Sequence, residues 1–164
     1  MLINYILKQF RSWKFPGSAR YWIRRYDSGR NSGAGSYSKL AEFKAEIINQ
    51  FAAEHCIRNI IELGCGDGNQ LRLAHYPEYT GYDISHRALQ LCKTIFMADP
   101  AKKFYLMDEY DGRTAELALS LDVIYHLVED EVFINYMSRL FDCAFRYVII
   151  YSSNTSRNNP GHAM

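Results

Sequence analysis

No stretch of this sequence carries the roughly 20 consecutive apolar residues that a bilayer-spanning helix needs, so no transmembrane segment is expected. Cysteine is sparse: Cys56, Cys65, Cys92 and Cys143 stand apart, with no Cys-x-x-Cys pair and no histidine at zinc-ligand spacing. That argues against a disulfide framework and against a structural metal site, and makes a reducing, cytoplasmic location the default expectation. The apolar stretch within residues 1–10 lacks the basic start and the small-residue cleavage site of a signal peptide, and reads as a short amphipathic helix. A net charge of only +1 gives no ground for wholesale nucleic-acid binding. The charge is uneven, however. Lys8, Arg11, Lys14, Arg20, Arg24, Arg25 and Arg30 face a single acid, Asp27, in one N-terminal stretch. Such a run is either a solvated face or a patch for an anionic substrate, phosphate group or lipid headgroup.

What is present is an ordinary globular composition, 48% apolar over 164 residues, enough for one domain with a core. Pro16-Gly17-Ser18 breaks the first helix and residues 19–26 form a second. Residues 28–38 are rich in glycine and serine and read as a loop. Leu40, Phe43, Ile47, Ile48 and Phe51 then recur at helical spacing, with Ser38 as the expected N-cap. Beyond Arg58 short apolar runs alternate with helical patterns. Strands are expected at 59–63, 79–84, 103–107, 119–127 and 147–151, and helices at 69–75, 85–96 and 129–141. That alternation predicts an α/β fold, Rossmann-like and doubly wound: a mainly parallel sheet of about five strands with helices on both faces.

The segment that carries chemistry is Ile60-Ile61-Glu62-Leu63-Gly64-Cys65-Gly66-Asp67-Gly68-Asn69. A buried strand feeds a glycine-rich turn where the backbone can approach a ligand closely, with free N–H groups turned toward it. A dinucleotide site wants Gly-x-Gly-x-x-Gly, but the third glycine, Gly68, comes one position early and Asn69 takes its slot. Glu62 before the turn would repel a pyrophosphate and suits a sulfonium-bearing amino acid or its ammonium group. No Gly-Lys-Ser/Thr follows, so a P-loop is also disfavoured. Asp83 closes the second strand twenty-one residues after Glu62. A carboxylate there can accept both hydroxyls of a ribose lying across the sheet edge.

With those residues in view, 59–71 together with 80–85 resembles motif I and the acidic second-strand motif of class I S-adenosylmethionine-dependent methyltransferases. Leu121-Asp122-Val123-Ile124-Tyr125-His126-Leu127 resembles that family's fourth-strand motif, and residues 31–46 resemble a small bacterial branch of it. The resemblance implies S-adenosylmethionine as cofactor and methyl transfer to a small-molecule, glycan or lipid-precursor acceptor. It implies Glu62, Gly64, Cys65 and Gly66 around the methionine part, Asp83 on the ribose and Ile84 on the adenine. Asp108, or its neighbour Glu109, would take the adenine amino group, and Asp122 would sit beneath the glycine turn. His126 is the candidate general base and Tyr125 a further contact. Tyr26, Tyr37 and Lys44 are candidate lid or substrate residues. The implied division is a lid or cap over 1–38, a cofactor-binding Rossmann-like domain over 39–151 and a flexible tail over 152–164.

The family's sheet normally adds an antiparallel pair of strands beyond the fifth. None is readable here, which implies either a C-terminally shortened chain with an open fifth-strand edge, or a homodimer or other partner that covers that edge. Two further readings stay open: a non-catalytic S-adenosylmethionine-binding module or inactive homologue, and an NAD-type oxidoreductase, which Gly68 and Asn69 disfavour.

Overall fold

The computed structural model describes residues 15–153. The expected helix within 1–10 and the tail from 154 onward lie outside the described residues. Helix α1 (Ser18–Asp27) and α2 (Ser38–Glu54) precede strand β1 (Asn59–Leu63); β2 (Glu78–Asp83), α3 (His86–Ile95), β3 (Lys102–Leu106), β4 (Ala115–Leu121), α4 (Asp130–Asp142) and β5 (Ala144–Tyr151) follow. All pairings are parallel, in the order β3-β2-β1-β4-β5.

The central strand shows why the sheet is covered twice. Along β1 successive side chains point to opposite faces, and both faces are dry. Ile60 joins a core with Ile48 and Ala52 of α2 and Leu89 and Cys92 of α3. Ile61 and Leu63 join a second core with Leu140 of α4 and Cys143. A strand buried on both faces reads as an unbroken apolar run, which is what makes β1 legible. Glu62 interrupts that run because its carboxylate is engaged: Tyr79 Oη donates to Glu62 Oε2 at 2.6 Å.

Three local expectations are corrected. Residues 69–75 do not form an α-helix; only a 3-10 turn, Gln70–Leu73, is present. The carboxamide of Asn49 on α2 accounts for it, donating to the Leu73 carbonyl at 2.8 Å and accepting the His75 N–H at 2.9 Å. Those are groups a helix would need, and Pro77 disfavours helical geometry at Tyr76. The fourth strand is Ala115–Leu121, not 119–127. Asp122 adopts a left-handed φ of 60°, which turns the chain out of the sheet into a 3-10 turn at Ile124–His126. Ser38 does not cap α2. It is the first helical residue, with φ 54°, and its side chain makes no capping bond. Ser85 does cap α3, accepting the Ala88 N–H at 3.2 Å.

The outer edge of β5 is unpaired among the described residues. Phe51 of α2 packs edge-on against Tyr147 of β5, while Leu40, Phe43 and Ile47 on that helix, together with Phe141 and Phe145, remain exposed.

Candidate functional site

A cavity of about 320 Å³ opens at the carboxyl ends of β1, β2 and β4, roofed by α1. That is where open parallel sheets bind ligands, and the volume falls within the roughly 300–1,000 Å³ of small-molecule sites. Its floor is the bend from Gly64 to Gly66. Gly64 has φ 84° and Gly66 φ 60°, the left-handed region where a Cβ is penalised. A Cβ on Gly64 would come within 2.6 Å of Val123 Cγ2; one on Gly66 would collide with Ser32 Oγ and lie 3.0 Å from Tyr26 Oη.

Two carboxylates line this floor. Asp83, at the end of β2, accepts the Gly66 N–H at 2.9 Å through Oδ2 and the Ser85 N–H at 2.9 Å through Oδ1. A carboxylate has about four acceptor sites, so these bonds leave acceptor capacity to spare. Burial raises its pKa from 3.8 to about 6, and the N–H bonds offset only part of that. Glu62 is likewise pushed from 4.5 to about 7 by burial, against the opposing pull of the Tyr79 hydroxyl and the Lys44 charge. Both groups are thus poised to change charge near neutrality.

The roof is tied down by a clamp that joins segments thirty-five residues apart. Asp67 Oδ2, within the glycine bend, accepts the Ser32 N–H at 2.9 Å and the Tyr37 hydroxyl at 2.9 Å, and its own N–H reaches Ser32 Oγ at 3.1 Å. Tyr26 Oη meets Ser32 Oγ at 2.9 Å. At the other end of α1, Ser18 donates its N–H and hydroxyl to Glu129, at 2.8 and 2.5 Å. Its Oγ in turn accepts the Val128 N–H at 3.1 Å.

Of the residues singled out from sequence, Glu62, Gly64, Cys65, Gly66, Asp83, Ile84, Asp122, His126 and Tyr26 all line this one cavity. His126 packs edge-on against Trp22, ring centroids 4.8 Å apart, so helix α1 and the turn after β4 meet there. Tyr37, Lys44 and Tyr125 stand behind the wall. Lys44 is buried on α2 and bonds Asp122 Oδ2 at 2.5 Å, while Tyr125 Oη donates to Asp122 Oδ1 at 3.2 Å. Tyr37 is engaged with Asp67, and burial with that carboxylate raises its pKa to about 12. Asp108 and Glu109 are exposed on the turn after β3, outside the cavity wall; Glu109 accepts the Leu106 N–H at 2.6 Å.

Sequence reasoning did not single out Ser32 and Asp67, nor Trp22, Gln70, Met107, Val123, Tyr136 and Arg139, which also line the cavity. Asp67 sits inside the quoted motif, but nothing in the spacing links it to Ser32. Gln70 Oε1 is buried without a hydrogen-bond partner, a polar atom available to a ligand. With two carboxylates at one end and Ile84, Met107 and Leu121 on the walls, the residues present fit an adenosyl amino acid.

With a glycine bend after β1, an acidic end to β2 and the order β3-β2-β1-β4-β5, the chain has the fold of class I S-adenosylmethionine-dependent methyltransferases. Among solved structures, this chain is similar to the N-methyltransferase NodS from Bradyrhizobium japonicum WM9 in complex with S-adenosyl-L-homocysteine. That match has a TM-score of 0.65 and 14% identity, covering 79% of this chain and 68% of that one. Magnesium protoporphyrin IX methyltransferase (ChlM) from Synechocystis PCC 6803 with bound S-adenosylmethionine matches with a TM-score of 0.63 and 17% identity, covering 83% and 76%. The methyltransferase domain of bacterial CtHen1 matches with a TM-score of 0.60 and 20% identity, covering 68% and 65%. Across such structures the chain spans from 45% to 76% of their length. No protein-family profile matches the sequence, and no curated protein does. Among the described residues no helix is long and apolar enough to cross a membrane, and no cluster of side chains is arranged to hold a metal ion.

Proposed function

We propose that this chain binds S-adenosylmethionine in the cavity under α1 and transfers its methyl group to a small-molecule, glycan or lipid-precursor acceptor. The observation that carries this reading is the convergence of Asp83 with the Gly64–Gly66 bend. A buried carboxylate lies beside a bend so closely packed by Val123, Ser32 and Tyr26 that no Cβ fits at Gly64 or Gly66. Asp83 takes the ribose hydroxyls, and Ile84 and Met107 pack on the adenine. Glu62, Gly64, Cys65 and Gly66 surround the methionine part. Glu109 is spent on the Leu106 N–H, so Asp108 is the carboxylate left for the adenine amino group. Asp122 acts through Lys44, whose ammonium it holds beside Glu62.

The cofactor supplies an electrophilic methyl on a good leaving group, so the protein has little covalent work to do. Its residues orient the reactants and exclude water. Trp22, Tyr26 and the Ser32–Asp67 clamp form the cover, with Tyr37 securing it. His126, beside Trp22 on the cavity wall, takes a proton from an acceptor whose nucleophile is a hydroxyl or an ammonium group, and Tyr125 steadies Asp122 behind it.

Calorimetric titration with S-adenosylmethionine tests the binding. Saturable one-to-one heat, lost on adding excess S-adenosylhomocysteine, is the expected result, and no heat at all removes the reading. Acceptor-dependent release of S-adenosylhomocysteine separates an enzyme from a binding module that uses the same fold.

A further inference from the structure

Helix α1 has a second side. Facing away from the roofed cavity, Pro16, Gly17, Ala19, Arg20, Ile23 and Arg24 line a shallow groove with Glu129 and Val132. Ala19 and Val132 line both this groove and the cavity, so the two spaces adjoin at those residues. Arg20 and Arg24 lie one helical turn apart on the same face. Both are exposed, and no acidic side chain pairs with either among the described residues. Arg25 on the same helix is spoken for, donating Nε to the Asn31 carbonyl at 2.7 Å and lying over the Trp22 ring. Glu129 is the acid in the groove. Its two oxygens accept the Ser18 N–H and hydroxyl, bonds that hold its pKa below the ordinary value. It is turned to the helix start while the two guanidinium groups remain unmatched.

We propose that Arg20 and Arg24 form an anion subsite for the methyl acceptor, and that the acceptor is an amphiphile: an apolar body in the cavity and a phosphate or carboxylate group in the groove. The chemistry of the walls sets this class. Besides Ala19 and Val132, which it shares with the groove, the cavity presents Trp22 and Leu127, and these side chains favour an apolar body. Two adjacent guanidinium groups favour a planar or tetrahedral anion, which each can grip with paired N–H donors. The proposal rests on the S-adenosylmethionine reading of the cavity, and names the substrate class for it.

The test uses dodecyl phosphate as probe, below its micelle concentration, with the full chain and an Arg20→Gln/Arg24→Gln variant. Both arginines are exposed, so the variant keeps its fold, which the thermal melt verifies. Dodecyl phosphate is expected to bind the wild type, to weaken about tenfold in the variant and to weaken with added salt. Inorganic phosphate should compete poorly, and S-adenosylmethionine affinity should not change between the two proteins. Equal probe affinity in both proteins overturns the subsite. Equally strong competition by inorganic phosphate leaves a plain anion site and overturns the amphiphile. Arginine-dependent binding to phosphatidylglycerol vesicles without binding of the monomeric probe overturns it in favour of a membrane surface. Loss of the cofactor reading shows separately, as absent S-adenosylmethionine heat while the probe still binds.

Discussion

Asp83 reaches across the site to accept the Gly66 N–H at 2.9 Å, joining the end of β2 to the bend after β1. One carboxylate thereby shapes the bend and presents its remaining lone pairs to the cavity. Asp83→Ala is expected to weaken S-adenosylmethionine binding by about 1–3 kcal/mol, measured by calorimetry. Asp83→Asn, which keeps one acceptor oxygen, should fall between. Unchanged affinity in both variants removes Asp83 from the site.

The raised pKa of Glu62 predicts a stability profile. Burial favours its neutral form, so between 4.5 and about 7 the folded protein binds more protons than the unfolded chain. The contribution is complete below 4.5 and is lost as pH climbs through about 7. Asp83 adds an effect of the same sign between 3.8 and about 6. Melting temperature of the ligand-free protein should therefore decline across this window, with a shallower decline in Glu62→Gln. Cofactor affinity should run the other way, since an ammonium group prefers the ionised carboxylate. A melting temperature that climbs through the same window contradicts the assignment.

Lys44 and Asp122 form an ion pair in which the lysine side chain is 1% exposed. Asp122→Ala strands that ammonium in the interior and is expected to cost about 3–5 kcal/mol in urea unfolding. Lys44→Met/Asp122→Leu, which removes both charges, should recover most of the loss. A cost below about 1 kcal/mol for Asp122→Ala, the range of exposed pairs, would show that water screens this one.

Asp67 is the anchor of the roof. Asp67→Ala removes the acceptor of both the Ser32 N–H and the Tyr37 hydroxyl. Trypsin cleavage at Arg30, exposed in the loop that these bonds hold, should then accelerate, and S-adenosylmethionine should protect the wild type more than the variant. Identical digestion rates would mean the loop is held by other contacts.

The edge of β5, unpaired among the described residues, with Phe145 61% and Phe141 56% exposed, predicts self-association that grows with protein concentration. Light scattering reads it. A monomer at every concentration, with a high melting temperature, would show that the edge is adequately protected as it stands.

The parallel sheet was legible because β1 and β2 are short apolar runs ending in a glycine bend and an acid. That local signal also marked Glu62, Gly64, Gly66 and Asp83, which line one cavity. The strand after Arg113 was displaced in the reading because Glu116 breaks its apolar start, although that side chain reaches out to Arg146 at 2.8 Å and to the Arg58 N–H at 2.6 Å. Residues 69–75 misled because their periodicity is helical, while the Asn49 carboxamide claims the bonds a helix would use. Lys44 read as a lid residue from its place near the loop; its partner Asp122 lies seventy-eight residues away.

Local sequence alone determined the layered α/β architecture and the glycine bend, because alternation, apolar runs and φ-tolerant residues act within a few positions of the chain. Only the tertiary structure decided which polar groups meet: Ser32 with Asp67, Lys44 with Asp122, Trp22 with His126. Those contacts depend on how helices settle on the sheet, and burial rather than spacing then sets their charge.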